Sequence, residues 1–210
     1  MTTEQYLRML MEEYGAKAIL LGYDNRMSCD AEGADQVAST AESLGLEVIR
    51  TEMVSSGKGY AVSSTKIRER LEEGDVKGAS EMLGYEYSLH GVVVAGNRLG
   101  RTIGFPTANM QLYEPLKLVP CNGVYFVKVR TLGREFYGMC NIGCRPTVGA
   151  GNARTIETHI LGFDEDIYGL DMEITFIDRI REEIRFGSLS DLKAQLEKDR
   201  DSCLPLCHFE

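Results

Sequence analysis

The sequence predicts a two-part α+β chain: an α/β half to about residue 85, then a strand-rich half that closes on a helix. Three observations predict it. Apolar residues at helical spacing alternate with short apolar strands in the first half. From about Tyr85 the period switches to two, with Gly and Pro between the runs. In SLSDLKAQLEKDRD, near the C-terminus, helical spacing returns.

Thr2-x-x-Gln5 is a capping-box pattern, Leu7, Leu10, Met11 and Tyr14 follow on one helical face, and Gly15 supplies the stop. AKAILLGYD then reads as a short strand buried on both faces. Ala34, Val37, Ala38, Ala41 and Leu44 mark a second helix ending at Gly45, and LEVIRT a second strand, so a βαβ unit with a parallel pair is expected. Two short helices come next, one after the serines of SSTKIRERLEEG, the other DVKGASEMLG with Asp75 as N-cap and Gly84 as stop. Beyond Tyr85, YSLHGVVVAG, GVYFVKVRT, REFYGMCNI, TIETHILGF and LDMEITFIDRI read as strands. Leu132-Gly133 is the expected turn of a hairpin. Several short strands of this kind suggest a small closed barrel or a sandwich. Leu189, Leu192 and Leu196 lie on one face of the last helix.

Composition narrows the function. The 210 residues carry 23 Lys and Arg against 32 Asp and Glu, a net charge of −9, with 43% hydrophobic residues. That balance fits an ordinary folded protein and argues against a general nucleic-acid or membrane binder. No apolar run reaches the roughly 20 residues of a spanning helix. The first residues are acidic and amphipathic, so no secretory signal is expected, and a cytoplasmic location follows. Charge is uneven: residues 1–86 carry −7, residues 87–157 carry +5 and residues 158–210 carry −7. The basic middle suits an anionic ligand such as a polyphosphate. Cys29, Cys121, Cys140, Cys144, Cys203 and Cys207 include two C-x3-C pairs, CNIGC and CLPLC with His208 beside the second. Their spacing is wider than zinc ribbons use, so reduced thiols are expected.

Four segments could carry chemistry. GNRLGRTIGFPTAN puts Gly96, Gly100 and Gly104 at four-residue intervals after a strand, with Arg98 and Arg101 among them. Repeated glycines let a backbone approach phosphates; the same pattern also fits an ordinary barrel loop. Thr107 and Asn109, one residue apart after Pro106, project to the same side of an extended segment. Two neutral oxygens suit Mg²⁺ that draws its other ligands from ATP phosphates and water, or two turn residues bonding their own backbone. In TIETHIL, alternation puts Glu157 and His159 on one face and Ile156, Thr158 and Ile160 on the other. Glu157 there is a general base or a solvated edge residue. SSTKIRERL sets hydroxyls at a helix start near Lys66 and Arg68, as a phosphate site or a plain N-cap.

Taken in order, YSLHGVVVAG, GRTIGFPTAN, GVYFVKV, NIGCRPT, ETHILGFDEDIYG, IREEIRF and DLKAQLEKD resemble the riboflavin kinase module, and more specifically the kinase half of bifunctional riboflavin kinase/FAD synthetases (FMN adenylyltransferases). The resemblance implies a six-stranded Greek-key β-barrel with a C-terminal helix over residues 86–210. It implies transfer of a phosphoryl group from ATP to the ribityl 5′-hydroxyl of riboflavin, giving FMN. Thr107 and Asn109 would contact Mg²⁺ and phosphate. Gly96 and Arg101 would cover the nucleotide, with Ile160, Gly162 and Tyr168 on its adenine side. Glu157 would be the catalytic base, and Arg181 and Phe186 would lie by the flavin. The first 85 residues are similar to the second half of the family's Rossmann-like nucleotidyltransferase domain. GYDNR stands at its flavin-side strand end, and SSTKIRERL resembles its second nucleotide motif. The H-x-G-H motif that belongs before them is missing, so either this half has decayed into a scaffold or, as the alternative expectation, the chain is a piece of a longer bifunctional enzyme that also makes FAD.

Overall fold

The computed structural model describes residues 1–22, 33–51, 62–146 and 152–207. The chain forms two compact units, Met1–Val62 and Ser63–Glu210.

In the first unit, α1 (Thr3–Tyr14) opens on the expected capping box. The Gln5 N–H donates to Thr2 Oγ1 at 3.3 Å and the Thr2 N–H to Gln5 Oε1 at 3.0 Å. Gly15, at φ 67°, ends the helix in the left-handed region that glycine enters freely. β1 (Ala18–Leu21) and β2 (Glu47–Arg50) pair in parallel, with α2 (Ala34–Ser43) between them in sequence. Leu7, Ala41 and Leu46 form one buried cluster, and Leu21, Val37 and Ala38 another. The expectation of strands buried on both faces is not met. The register partners Leu20 and Ile49 are 61% and 47% exposed, so among the described residues helices cover only the opposite face of this pair. Most of the GYDNR segment lies outside the described residues.

The second unit starts earlier than the expected boundary at residues 85–86. α3 (Ser64–Glu73) and α4 (Val76–Leu83) have the caps read from the sequence, Ser63 and Asp75 at their starts and Gly74 and Gly84 in left-handed conformation at their ends. Their apolar faces, however, pack against the barrel. Leu71, Val76 and Ala79 are buried in a single cluster with Tyr87, Leu89, Tyr125 and Phe176. The Cys121 N–H donates to the Leu71 carbonyl at 2.9 Å. The Arg179 guanidinium donates to the Glu73 carbonyl (3.2 Å) and the Asn122 carbonyl (2.7 Å).

The barrel itself is built from β3 (Ser88–Val94), β4 (Ala108–Leu112), β5 (Gly123–Thr131), β6 (Arg134–Pro146), β7 (Asn152–Ile160) and β8 (Asp171–Arg181). It closes in the order β3-β4-β7-β6-β5-β8, every neighbouring pair antiparallel. Three hairpin-linked strands, β5 to β7, have β4 returning beside β7, which is a Greek key. Leu132 (φ 53°) and Gly133 (φ 69°) make the tight turn between β5 and β6. A short helical turn, α5 (Leu99–Thr102), interrupts the glycine-rich segment; no helix is expected there from the sequence. The last helix, α6 (Leu189–Cys203), starts at Ser188, whose Oγ accepts the Asp191 N–H at 3.1 Å.

Strand alternation sorts the side chains. Tyr125, Val127, Val129, Cys140, Ile142, Ile156, Ile174 and Phe176 fill the interior. Val124, Phe126 and Met139 point outward and are covered by Phe105, Leu161 and Cys203. Burying each large apolar side chain contributes roughly 1.5–3 kcal/mol, so coverage of the outer face by α6 and the 99–107 segment is a substantial term. Leu196 packs on that outer cluster, whereas Leu189 is exposed and does not share the buried face expected of it.

Candidate active site

The barrel register sets one row of side chains across all six strands: Val94, Asn109, Glu157, Asn141, Val124 and Arg181, each directly opposite the next. Val124, Asn141, Glu157 and Arg181 from this row line a cavity of about 240 Å³ on the outer face of the barrel. Thr107, His159, Phe186, Leu192 and Leu196 are among the other residues of its walls. A second cavity, of about 160 Å³, is lined by Arg101, Thr107, Thr158, Ile160, Tyr168 and the carboxylate-bearing segment 164–166. β7 separates the two: Glu157 and His159 face the outer cavity, Thr158 and Ile160 the other, as the period of two requires. Thr107 lines both.

Glycines shape the approach. A Cβ at Gly96 would overlap the Asn109 carboxamide, so Gly96 is what lets that buried side chain lie against the backbone. A Cβ at Gly100 would overlap the Phe105 carbonyl, and the Phe105 N–H donates to the Gly100 carbonyl at 2.8 Å, closing the loop on itself. Arg98, at φ 56°, holds its guanidinium 5.4 Å from the centre of the Tyr168 ring. Gly162, at φ 66°, makes the turn after β7 and lines neither cavity.

Arg181, expected beside the flavin, lines the outer cavity, and its charge is already engaged. Nε lies 3.0 and 2.9 Å from the two carboxylate oxygens of Asp199, and Nη2 lies 2.8 Å from Oδ2. Asp199 is 2% exposed and also accepts from Gln195 Nε2 at 2.8 Å. Such a paired, hydrogen-bonded charge can remain in a dry site. The pair ties the end of β8 to α6 and presents Arg181 5.9 Å from the Phe186 ring. Asn141, which lines the outer cavity, and Asp199, which holds Arg181, were not expected from the sequence.

His159 is half-buried, and that burial holds its pKa below 6.5 despite a 2.8 Å contact between Nδ1 and the Pro106 carbonyl. Burial pushes the Cys140 thiol up to about 12 and the Cys203 thiol up to about 11, so both stay protonated at neutral pH. Among the described residues, five cysteines are free thiols, and no group of three or more His, Cys, Asp or Glu is arranged to hold a metal ion. Cys29 and His208 lie outside the described residues. At the start of α3, Ser63 Oγ accepts the Lys66 N–H at 3.4 Å, the geometry of an N-cap.

A carboxylate on one side of a shared threonine and an arginine on the other can align a hydroxyl nucleophile with a phosphoryl donor. The family model for riboflavin kinase matches residues 83–206. The bifunctional riboflavin kinase/FMN adenylyltransferase of Haemophilus influenzae is 48% identical over 139 residues, 66% of this chain and 44% of that protein. The Escherichia coli protein of the same name is 37% identical over 193 residues, 91% of this chain and 60% of that protein. A crystal structure of a macrolide-efflux protein from Streptococcus pneumoniae superposes with a TM-score of 0.78 at 33% identity, covering 96% of this chain and 64% of that one. The chain belongs to the riboflavin kinase family. It spans between 44% and 60% of the length of these two curated relatives. No helix among the described residues is long and apolar enough to cross a membrane.

Proposed function

We propose that this chain is an ATP-dependent riboflavin kinase, transferring the γ-phosphoryl group of ATP to the ribityl 5′-hydroxyl of riboflavin to give FMN and ADP. The observation that carries this reading is the threonine common to both cavities, with Glu157 on one side and Arg101 on the other. Riboflavin occupies the outer cavity, its ring system against Phe186, Leu192 and Leu196 and its ribityl chain directed at Glu157. The nucleotide occupies the second cavity, its polyphosphate toward Arg101 and the 96–104 loop, its ribose and base along Ile160, Tyr168 and the 164–166 carboxylates. Those carboxylates suit hydroxyl and amino donors and disfavour phosphate. Glu157 accepts the proton of the 5′-hydroxyl as its oxygen bonds to the γ-phosphorus, and the bond from that phosphorus to the bridging oxygen of ADP breaks.

The residues fit a divalent ion that arrives with the nucleotide. Thr107, on the wall of both cavities, and Asn109, two residues further on and lining neither, offer two neutral oxygens, and Gly96 lets the Asn109 side chain lie against the backbone there. Without a ready cluster of carboxylates or thiolates among the described residues, most of the ion's ligands come from phosphates and water. We take the ion to be Mg²⁺; bound there it neutralises charge developing on the transferred group. The test is incubation with riboflavin, ATP and Mg²⁺ followed by chromatography. FMN formed only when all three are present supports the reading, and its absence removes it.

One observation favours a second reading, that the sequence works within a longer bifunctional protein in the cytoplasm. The match to the E. coli protein runs over more residues than the second unit contains, so it extends into Met1–Val62. In that reading the first unit is part of a nucleotidyltransferase domain, and FAD would appear beside FMN when the longer protein is assayed in the same way.

A further inference from the structure

His159 has no part in the transfer described above, yet it lines the outer cavity and contacts the segment that leads into Thr107. It follows Glu157 by two residues on β7 and faces the same cavity. Its Nδ1 lies 2.8 Å from the Pro106 carbonyl oxygen, and its ring meets Phe105 edge-on with centroids 5.0 Å apart. A carbonyl oxygen only accepts, so the imidazole donates from Nδ1–H.

The register shows why a side chain is needed there. The β4–β7 pairing includes only Ala108↔Thr158 and Asn109↔Glu157. Pro106 and Thr107 precede the first paired residue, so the ladder does not fix them. The Pro106–Thr107 peptide is trans and planar. Holding its carbonyl toward β7 therefore aims the Thr107 N–H the opposite way and places the Thr107 Cα, leaving rotation about one bond, N–Cα, to set the side chain.

We propose that His159 is a positioning residue: its Nδ1–H holds the Pro106 carbonyl and so sets Thr107 at the junction of the two cavities, in register with Glu157. The inference rests on the assignment of Thr107 and Glu157 to phosphoryl transfer. Packing against Phe105 is the competing role, and two variants separate them. H159F keeps an aromatic ring and removes the donor. H159N puts an amide N–H where Nδ1 stands and removes the ring.

Steady-state FMN formation in H159F should show the KM for MgATP raised and kcat lowered by roughly five- to tenfold, the scale of one lost hydrogen bond, with the KM for riboflavin changed less. H159N should return both MgATP parameters to within about threefold of the parent, a difference near the noise of one weak contact. If H159N is as impaired as H159F, or if H159F leaves the MgATP parameters unchanged, the positioning role is wrong. Failure of the parent to make FMN would instead remove the functional reading. Nitrogen NMR shifts of ¹⁵N-histidine protein, with the His159 signals assigned by their loss in H159N, are independent of turnover. A protonated Nδ1 is expected, and a bare Nδ1 overturns the proposal.

Discussion

Removing residues 1–62 and removing residues 1–84 should have different consequences, because the second deletion strips α3 and α4 from the barrel. Leu71 and Val76 are almost wholly buried against it and Ala79 completely so. At roughly 1.5–3 kcal/mol for each of the two larger side chains, their burial contributes about 3–6 kcal/mol. The hydrogen bonds from the Cys121 N–H to Leu71 and from Arg179 to Glu73 add about 1 kcal/mol each. The sum, about 5–8 kcal/mol, is comparable to the whole stability of a typical domain, roughly 5–15 kcal/mol. The deletion also leaves Leu89 and Tyr87 without their covering helices and the Arg179 guanidinium short of one acceptor. Urea unfolding followed by circular dichroism, with FMN formation measured in parallel, reads the difference. Residues 63–210 should unfold cooperatively and make FMN. Residues 85–210 should be largely unfolded or inactive at 37 °C. Equal urea midpoints for the two would refute the assignment of α3 and α4 to the barrel unit.

Other expectations follow from individual contacts. Asp199→Ala leaves the Arg181 charge without its buried partner and should lower stability by about 3–5 kcal/mol in urea unfolding, while the double variant with Arg181→Met and Asp199→Leu should recover most of that. Thr107→Ala and Asn109→Ala should weaken MgADP binding in calorimetry more than riboflavin binding; equal losses would mean that both act on folding. The Cys140 thiol, at about 12 in the folded protein, binds its proton more tightly than in the unfolded chain. The sign then requires stability to be full below about pH 9 and to fall as pH rises toward 12, so urea midpoints should decline over that range, and less steeply in Cys140→Ala.

Local rules made much of the fold legible in the sequence. The capping box at Thr2 and Gln5, the stops at Gly15, Gly74 and Gly84 and the turn at Leu132-Gly133 depend on neighbours a few residues away, and each has the expected conformation. The alternation of TIETHIL likewise assigns Glu157 and His159 to one cavity and Thr158 and Ile160 to the other. What was not legible depends on partners distant in sequence. Nothing local distinguishes an α3–α4 pair that packs on the following barrel from one that belongs to the preceding sheet. Asp199 reads as one more solvated acid on a charged helix until the fold brings Arg181 to it. Asn141 gains meaning only from the register that puts it opposite Glu157. The exposed faces of Leu20 and Ile49 follow from how many helices cover the first unit's strands, which strand hydrophobicity alone does not fix.

The central claim is that phosphoryl transfer occurs where the two cavities meet, with Glu157 as the base. Single-turnover formation of FMN by the parent and by Glu157→Gln, at saturating riboflavin and MgATP, tests it most directly. FMN is expected from the parent, and a rate roughly 10²–10⁴-fold lower in the variant with riboflavin affinity retained. A variant rate within a few-fold of the parent would contradict it.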